Sequence, residues 1–256
     1  MGQIAIDRVI ERLDRYYETN DVAGAERHLR YWLAEAHAEG DTRGMITVCN
    51  EMMGLYRKNG NREKAFACVD EALALSKREG IEETVSAGTV YVNCATVYTA
   101  FGRTKDALPL FERAAAIYEK ELGAADTRLG SLYNNMAASL ADAGEYARSE
   151  EAYGKALSVM GRGTGAEPEL AVTKLNLANL LEAAHGMEAA CERIEECVQQ
   201  AHDLLETEGL PRNGHYAFVC DKCAPVFEYY GCFLYANELR RRVAEIYAGE
   251  GRDERT

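Results

Sequence analysis

Apolar positions along this chain fall into helical-period segments of similar length, and glycines stand between them. Gly60, Gly102 and Gly144 are 42 residues apart. Set in register on those glycines, Tyr91 and Tyr133 lie eleven residues before, Tyr56 and Tyr98 four before, Ala65 and Ala107 five after, and Ala72, Ala114 and Ala156 twelve after. Small residues where helices cross let backbones approach, and aromatics beside them fill the remaining volume. The pattern predicts repeated helix pairs in which the glycine ends the first helix. A unit of this size cannot bury its apolar face alone, so function belongs to a surface made by stacking.

The register resembles the tetratricopeptide repeat. It covers Met53, Tyr56, Gly60, Ala65 and Ala72; then Cys94, Ala95, Tyr98, Gly102, Ala107, Phe111 and Ala114; then Met136, Ala137, Gly144, Tyr153 and Ala156, with Ser149 in place of one alanine. A further match, Leu177, Ala178, Leu181, Ala190 and Ile194, requires His185 in the turn position with Gly186 after it. Leu13, Tyr16, Asn20, Ala25, Leu29 and Trp32 fit with asparagine in the turn, and Phe227, Gly231, Ala236 and Val243 fit loosely. The resemblance implies an all-α fold: a right-handed superhelical solenoid of about six helix pairs forming one domain over 1–256. The expected repeats are approximately 3–40, 41–80, 81–123, 126–161, 168–207 and 214–249.

The family's repeat is usually ~34 residues, so the longer spacing leaves room for about two further helical turns. Within the family, the stretches Tyr118–Ala138 and Leu175–Ala183 look like the repeats of kinesin light chains and their bacterial relatives, which implies peptide binding.

Composition narrows the partners. A chain of 256 residues with 47% hydrophobic content can bury a continuous seam. A net charge of −13 disfavours nucleic acid, which would have to gather cations against a repulsive field. The basic triplet Arg240, Arg241 and Arg242 reads as a solvated helix face. The N-terminal stretch has no basic segment followed by an apolar run, and no stretch reaches the ~20 apolar residues of a membrane span. A cytoplasmic protein is expected, with Cys49, Cys68, Cys94, Cys191 and Cys197 on helix faces turned to neighbours as reduced, small hydrophobes.

Little in the sequence points to catalysis. Cys220 and Cys223, with His215 upstream and Cys232 downstream, form one CxxC pair, whereas zinc sites commonly use two; the pair also aligns with core positions of a first helix. Gly161, Gly163 and Gly165 make a GRGTG loop with no Lys-Ser/Thr after it, so it reads as a connection between repeats. The five histidines are scattered, without a readable nucleophile, base and carboxylate set. No enzyme activity, cofactor or metal is expected.

The asparagines carry more. Asn93, Asn135 and Asn176 share one repeat position, nine residues before the turn residue. In the family this side of the first helix faces the concave groove, which would make them a ladder along its floor. Asn50, Asn134 and Asn179, with Thr96, Thr89, Thr99 and Ser131, add polar edges. A carboxamide offers donor and acceptor together and so matches the backbone of an extended peptide without reading its side chains. The bland alternative is that these groups satisfy one another across helices. Arg57 and Lys58 lie near one end, but Asp142 and Glu182 occupy comparable places further along, which argues against a clamp for a terminal carboxylate.

The expected function is a non-enzymatic scaffold that holds an extended, neutral or basic peptide of a partner protein, without nucleic acid or membrane. Two alternatives stand beside it. One is a self-associating scaffold, a homodimer through its outer face or terminal repeats, where Val243, Ile246 and Tyr247 lack a covering helix and residues 249–256 read as a polar, frayed tail. The other is a peptide-sensing regulatory module whose output domain would be a separate protein, since the first repeat starts almost at Met1.

Overall fold

The computed structural model describes residues 2–19 and 21–253. Among them are twelve α-helices in six antiparallel pairs: α1 (Ile6–Glu18) with α2 (Val22–Glu39), α3 (Thr42–Lys58) with α4 (Arg62–Arg78), α5 (Val85–Ala100) with α6 (Thr104–Glu121), α7 (Thr127–Asp142) with α8 (Tyr146–Met160), α9 (Glu167–His185) with α10 (Met187–Leu205), and α11 (Gly214–Tyr229) with α12 (Phe233–Asp253). The chain is an all-α solenoid of helix pairs. Asn20, expected in the first turn, lies outside the described residues, as do 254–256; the tail from Gly249 is helical as far as Asp253.

The turns close as the glycine register requires. Gly60, Gly102 and Gly144 have φ of 67°, 74° and 76°, the left-handed region in which a Cβ would be strained. After α3 the amide of Gly60 donates to the Arg57 carbonyl and that of Asn61 to Tyr56, and the Asn61 side chain then accepts from the Lys64 amide to cap α4. The same paired bonds end α5 and α7. Repeat five departs from expectation. His185 is the last residue of α9, and Gly186 (φ 83°) alone forms the turn, serving both helices as cap. A glycine was available one residue later and tolerates the positive φ that a histidine would resist.

The chain divides into two compact units, 1–122 and 123–256. In the first, Leu13, Leu29, Met53, Val69, Val90 and Cys94 belong to one buried core, with Ala65 and Ala72 fully buried where helices cross. In the second, Leu175, Leu181, Ile194, Leu205, Tyr216 and Phe227 form the core of α9–α12. Ser149, standing where the pattern has alanine, is fully buried and donates to the Ala137 carbonyl of α7 at 2.7 Å, so its hydroxyl is satisfied inside the pair.

One recurrent contact had no place in the sequence reading. Gly88 and Gly130 lie fourteen residues before their turn glycines, and Tyr118 and Met160 sixteen after. In each pair the second helix lays that larger side chain on the glycine: a Cβ at Gly88 would stand 2.5 Å from the Tyr118 ring, and one at Gly130 would stand 2.8 Å from Met160. Small and large residues interlock across the helix pair.

Two further expectations change. Cys49, Cys68, Cys94 and Cys197 are buried, but Cys191 is exposed on α10. Of the arginine triplet, only Arg240 and Arg241 are solvated. The Arg242 side chain is 12% exposed and donates to Glu206 Oε1 (2.5 Å), to the Tyr216 hydroxyl (2.9 Å) and to Glu238 (2.9 Å). Helices α11 and α12 and the residue that caps α10 converge on that guanidinium, an arrangement invisible from the run of basic residues alone.

Candidate functional site

The first-helix faces of the two units carry the asparagines. In the first unit, α3, the α4–α5 connection and the start of α5 bound a cleft of about 710 Å³. Asn50 and Asn93 line it together with Glu51, Ile46, Ile81 and Arg43. Its hydroxyls are mostly occupied at home. Thr47 donates to the Arg43 carbonyl at 3.0 Å, Thr84 to Ile81 at 2.7 Å, Thr42 to Glu79 at 3.1 Å, and Thr89 bonds the Tyr118 hydroxyl at 2.8 Å. The carboxamides differ. Asn93, half-buried, makes no side-chain hydrogen bond to a described residue, and Asn50 Oδ1 is buried with no donor among them. A buried acceptor without a partner costs roughly 1–3 kcal/mol, which a donor entering the cleft would recover.

Thr96 and Thr99, expected as polar edges, turn their hydroxyls back to the carbonyls of Val92 and Ala95, at 2.8 and 3.0 Å. That is the local bond a helical threonine makes most readily.

Glu51 and Glu79 outnumber Arg43 among the charged residues lining the cleft. Burial, with Asp14 beside it, pushes the Glu51 carboxyl above the ordinary range, and Lys58 only partly counteracts this. The same neighbourhood raises Tyr17 to about 12, through burial first and then the Glu51 and Asp14 charges. Lys58 Nζ lies 5.4 Å from the Tyr17 ring centre.

In the second unit the asparagines are more engaged. Thr173 Oγ1 has its nearer acceptor in the Glu169 carbonyl at 2.8 Å and Asn134 Oδ1 as the longer one at 3.1 Å, and Asn176 Nδ2 reaches that same oxygen at 3.5 Å, so Asn134 links α7 to α9 through two long contacts. Asn179 accepts from the Tyr230 hydroxyl at 2.9 Å. Glu182 accepts from Tyr229 at 2.6 Å, and its Oε2, 3.1 Å from the Tyr230 hydroxyl, shares that single proton with Asn179. A cleft of about 600 Å³ opens beside Asn179, Glu182, Pro225 and Tyr229. Asn135 is half-buried and makes no side-chain hydrogen bond to a described residue, while Ser131 is exposed. The three rungs of the expected ladder are therefore unlike: Asn93 and Asn135 keep their carboxamides uncommitted, and Asn176 leans on Asn134.

Sequence reasoning missed Glu51 and the two tyrosines. The adjacent Tyr229 and Tyr230 at the end of a first helix were a usable signal for the latter.

Cys220 and Cys223 are buried one turn apart in α11, and burial raises Cys223 to about 12. His215 contacts Glu169 at 2.7 Å. Among the described residues no group of three or more His, Cys, Asp or Glu is placed to hold a metal, and no helix is long and apolar enough to cross a membrane.

Comparison with known proteins places this architecture. Tetratricopeptide repeat models match residues 50–120 and 129–167. BtubC (BKLC) from P. vanneervenii is similar in structure, with a TM-score of 0.68 at 21% identity, over 78% of this chain and 79% of that one. A set of nearly identical TPR-like repeats named after a kinesin light chain of Podosopora anserina is also similar, with a TM-score of 0.58 at 18% identity, over 82% of this chain and 97% of that one. A search of curated protein sequences gives no match. Repeats of this family generally mediate protein–protein interactions. From the glycine register, the paired helices and these matches together, the chain carries tetratricopeptide repeats, matched over 50–120 and 129–167, with structural similarity to kinesin light chain-like repeat proteins.

Proposed function

We propose that this chain is a non-enzymatic, cytoplasmic binding protein that holds an extended, neutral or basic segment of a partner protein against the asparagine-bearing faces of its first helices. The observation that carries this reading is the first-unit cleft, where the Asn50 oxygen is buried with no donor among the described residues and Asn93 is uncommitted, while the threonine hydroxyls around them are already bonded. A backbone amide of an extended peptide supplies the missing donor and accepts from a carboxamide in return. Each such bond is worth about 0.5–1.5 kcal/mol net, so apolar contacts with Ile46 and Ile81 must add to the affinity. Glu51 and the net charge of −13 favour neutral or basic sequences.

The test is a peptide array probed with the full chain and with the Asn50→Ala/Asn93→Ala variant. Loss of retained peptides with unchanged helicity and melting supports the reading. Selection of acidic peptides, or equal retention by both proteins, overturns it.

A further inference from the structure

A second surface lies on the other helices of the second unit. A cleft of about 850 Å³ runs between α10 and the α11–α12 turn, floored by Ile194 and Val198 and opened by Met187, Cys191, Tyr229 and Tyr230. Large apolar side chains crowd it in the open: Met187 is 40% exposed and Tyr229 63%. The turn continues directly into Phe233 and Leu234, 60% and 88% exposed, at the start of α12, where polar residues would cost nothing. An apolar-floored cleft with large exposed apolar side chains at its mouth and next to it in sequence marks an interaction surface.

Its rim is acidic and uncompensated. Glu188, Glu192, Glu195 and Glu196 are all exposed on α10. Glu195 accepts only the Cys191 thiol and Glu196 only the Gln200 amide, while Arg193 on the same helix turns away to pair with Glu150. No cation among the described residues forms an ion pair with any of the four.

The row Met187, Cys191, Ile194 and Val198 has the 4-3-4 spacing of a helix–helix seam, about 16 Å long; Met187 and Cys191 are its open part, Ile194 and Val198 form the floor at 3% and 8% exposure, and Glu188 and Glu195 flank the row where charges select a partner. We infer that this cleft is a docking site for a basic amphipathic helix of another protein, with Leu-type residues in the seam and Lys or Arg on its edges. A second copy of this chain would bring the same carboxylates against themselves, and an anionic lipid surface would be repelled.

The probe is a labelled synthetic helix about three heptads long, with leucine at the seam positions and lysine at the flanks. Its counterpart carries glutamate at the flanks. Both are titrated onto the full chain by fluorescence anisotropy. Expected is binding of the lysine helix alone, weakened at least about tenfold when Glu192, Glu195 and Glu196 are changed to Lys, with the glutamate helix then binding instead. The bound helix should also slow alkylation of Cys191. Leu234→Ser, at a side chain already in solvent, should weaken binding without moving the melting temperature. Equal binding of both helices, indifference to the charge reversal, unprotected Cys191, or a dimer that dissociates on Met187→Ser would each overturn the assignment. Asn50→Ala/Asn93→Ala should leave this binding unchanged, which separates it from the first-unit cleft.

Discussion

The ring of Tyr118 lies on Gly88 so closely that a methyl group there would stand 2.5 Å from its Cε1. Tyr118 is 2% exposed and bonded to Thr89, so the ring cannot withdraw without breaking that bond. Gly88→Ala therefore sets a helix-propensity gain of up to about 1 kcal/mol against overpacking of about 1–3 kcal/mol, and a net loss is expected. Gly54, also helical, has nothing within 4 Å of a built Cβ, so Gly54→Ala should stabilise by roughly 0.5–1 kcal/mol. Thermal melts of the two variants should move in opposite directions.

Asparagines with and without partners should behave differently. Asn134→Ala removes the oxygen that Thr173 and Asn176 both reach and should cost about 1 kcal/mol, since Thr173 keeps its shorter bond to the Glu169 carbonyl. Asn93→Ala removes no bond to a described residue and should stay within about 0.5 kcal/mol of the parent. Denaturant unfolding measures both. A large loss at Asn93 would make it a structural group.

Glu51 sets a pH signature. Its folded-state carboxyl is raised, by burial and then by Asp14, so the stability tied to it is full below the ordinary carboxylate range and is lost as pH rises through the folded value. Glu51→Gln should thus melt higher than the parent at neutral pH, and the difference should vanish in acid. A variant that melts lower at neutral pH would contradict the raised carboxyl.

Arg242 and Glu206 predict the reverse dependence. Burial pushes Glu206 up, but the hydrogen bonds from Arg242 and Tyr235 outweigh it and hold the carboxyl low. The stability from this group is present above the unfolded value and lost as pH falls through the folded one. Arg242→Met takes donors from Glu206, which keeps the Tyr235 hydroxyl at 2.7 Å, and from the Tyr216 hydroxyl, which still donates to Leu205, and should cost about 1–3 kcal/mol, whereas adding Glu206→Met should restore part of that. A double variant no better than the single would show that packing, not charge, is what Arg242 provides.

Much of this fold is legible because its information is local and periodic. Gly60, Gly102 and Gly144 state where helices stop, and Ala65, Ala72, Ala107, Ala114 and Ala156 state where they cross. The repeat-five turn was misplaced by one residue because register alone cannot distinguish His185 from its neighbour; the φ that only glycine takes readily decides it. Arg242 was misread because its partners, Glu206 and Tyr216, lie outside any helix-face pattern. The asparagines were visible as a row, but whether each is committed was not. That depends on partners such as Tyr230 for Asn179, and the spacing from Gly186 to Gly231 is 45 residues rather than 42, which breaks the register there.

The single-residue turn at Gly186 bears on how the chain folds. It joins two 19-residue helices through the shortest connection between paired helices among the described residues, so almost no chain entropy is spent in bringing α9 and α10 together. Contacts between near neighbours in sequence form early and cheaply. The α9–α10 hairpin is thus the natural place for the second unit to begin ordering, a seed against which α8 and α11 can condense, and in native-state hydrogen exchange its amides should be among the last to open.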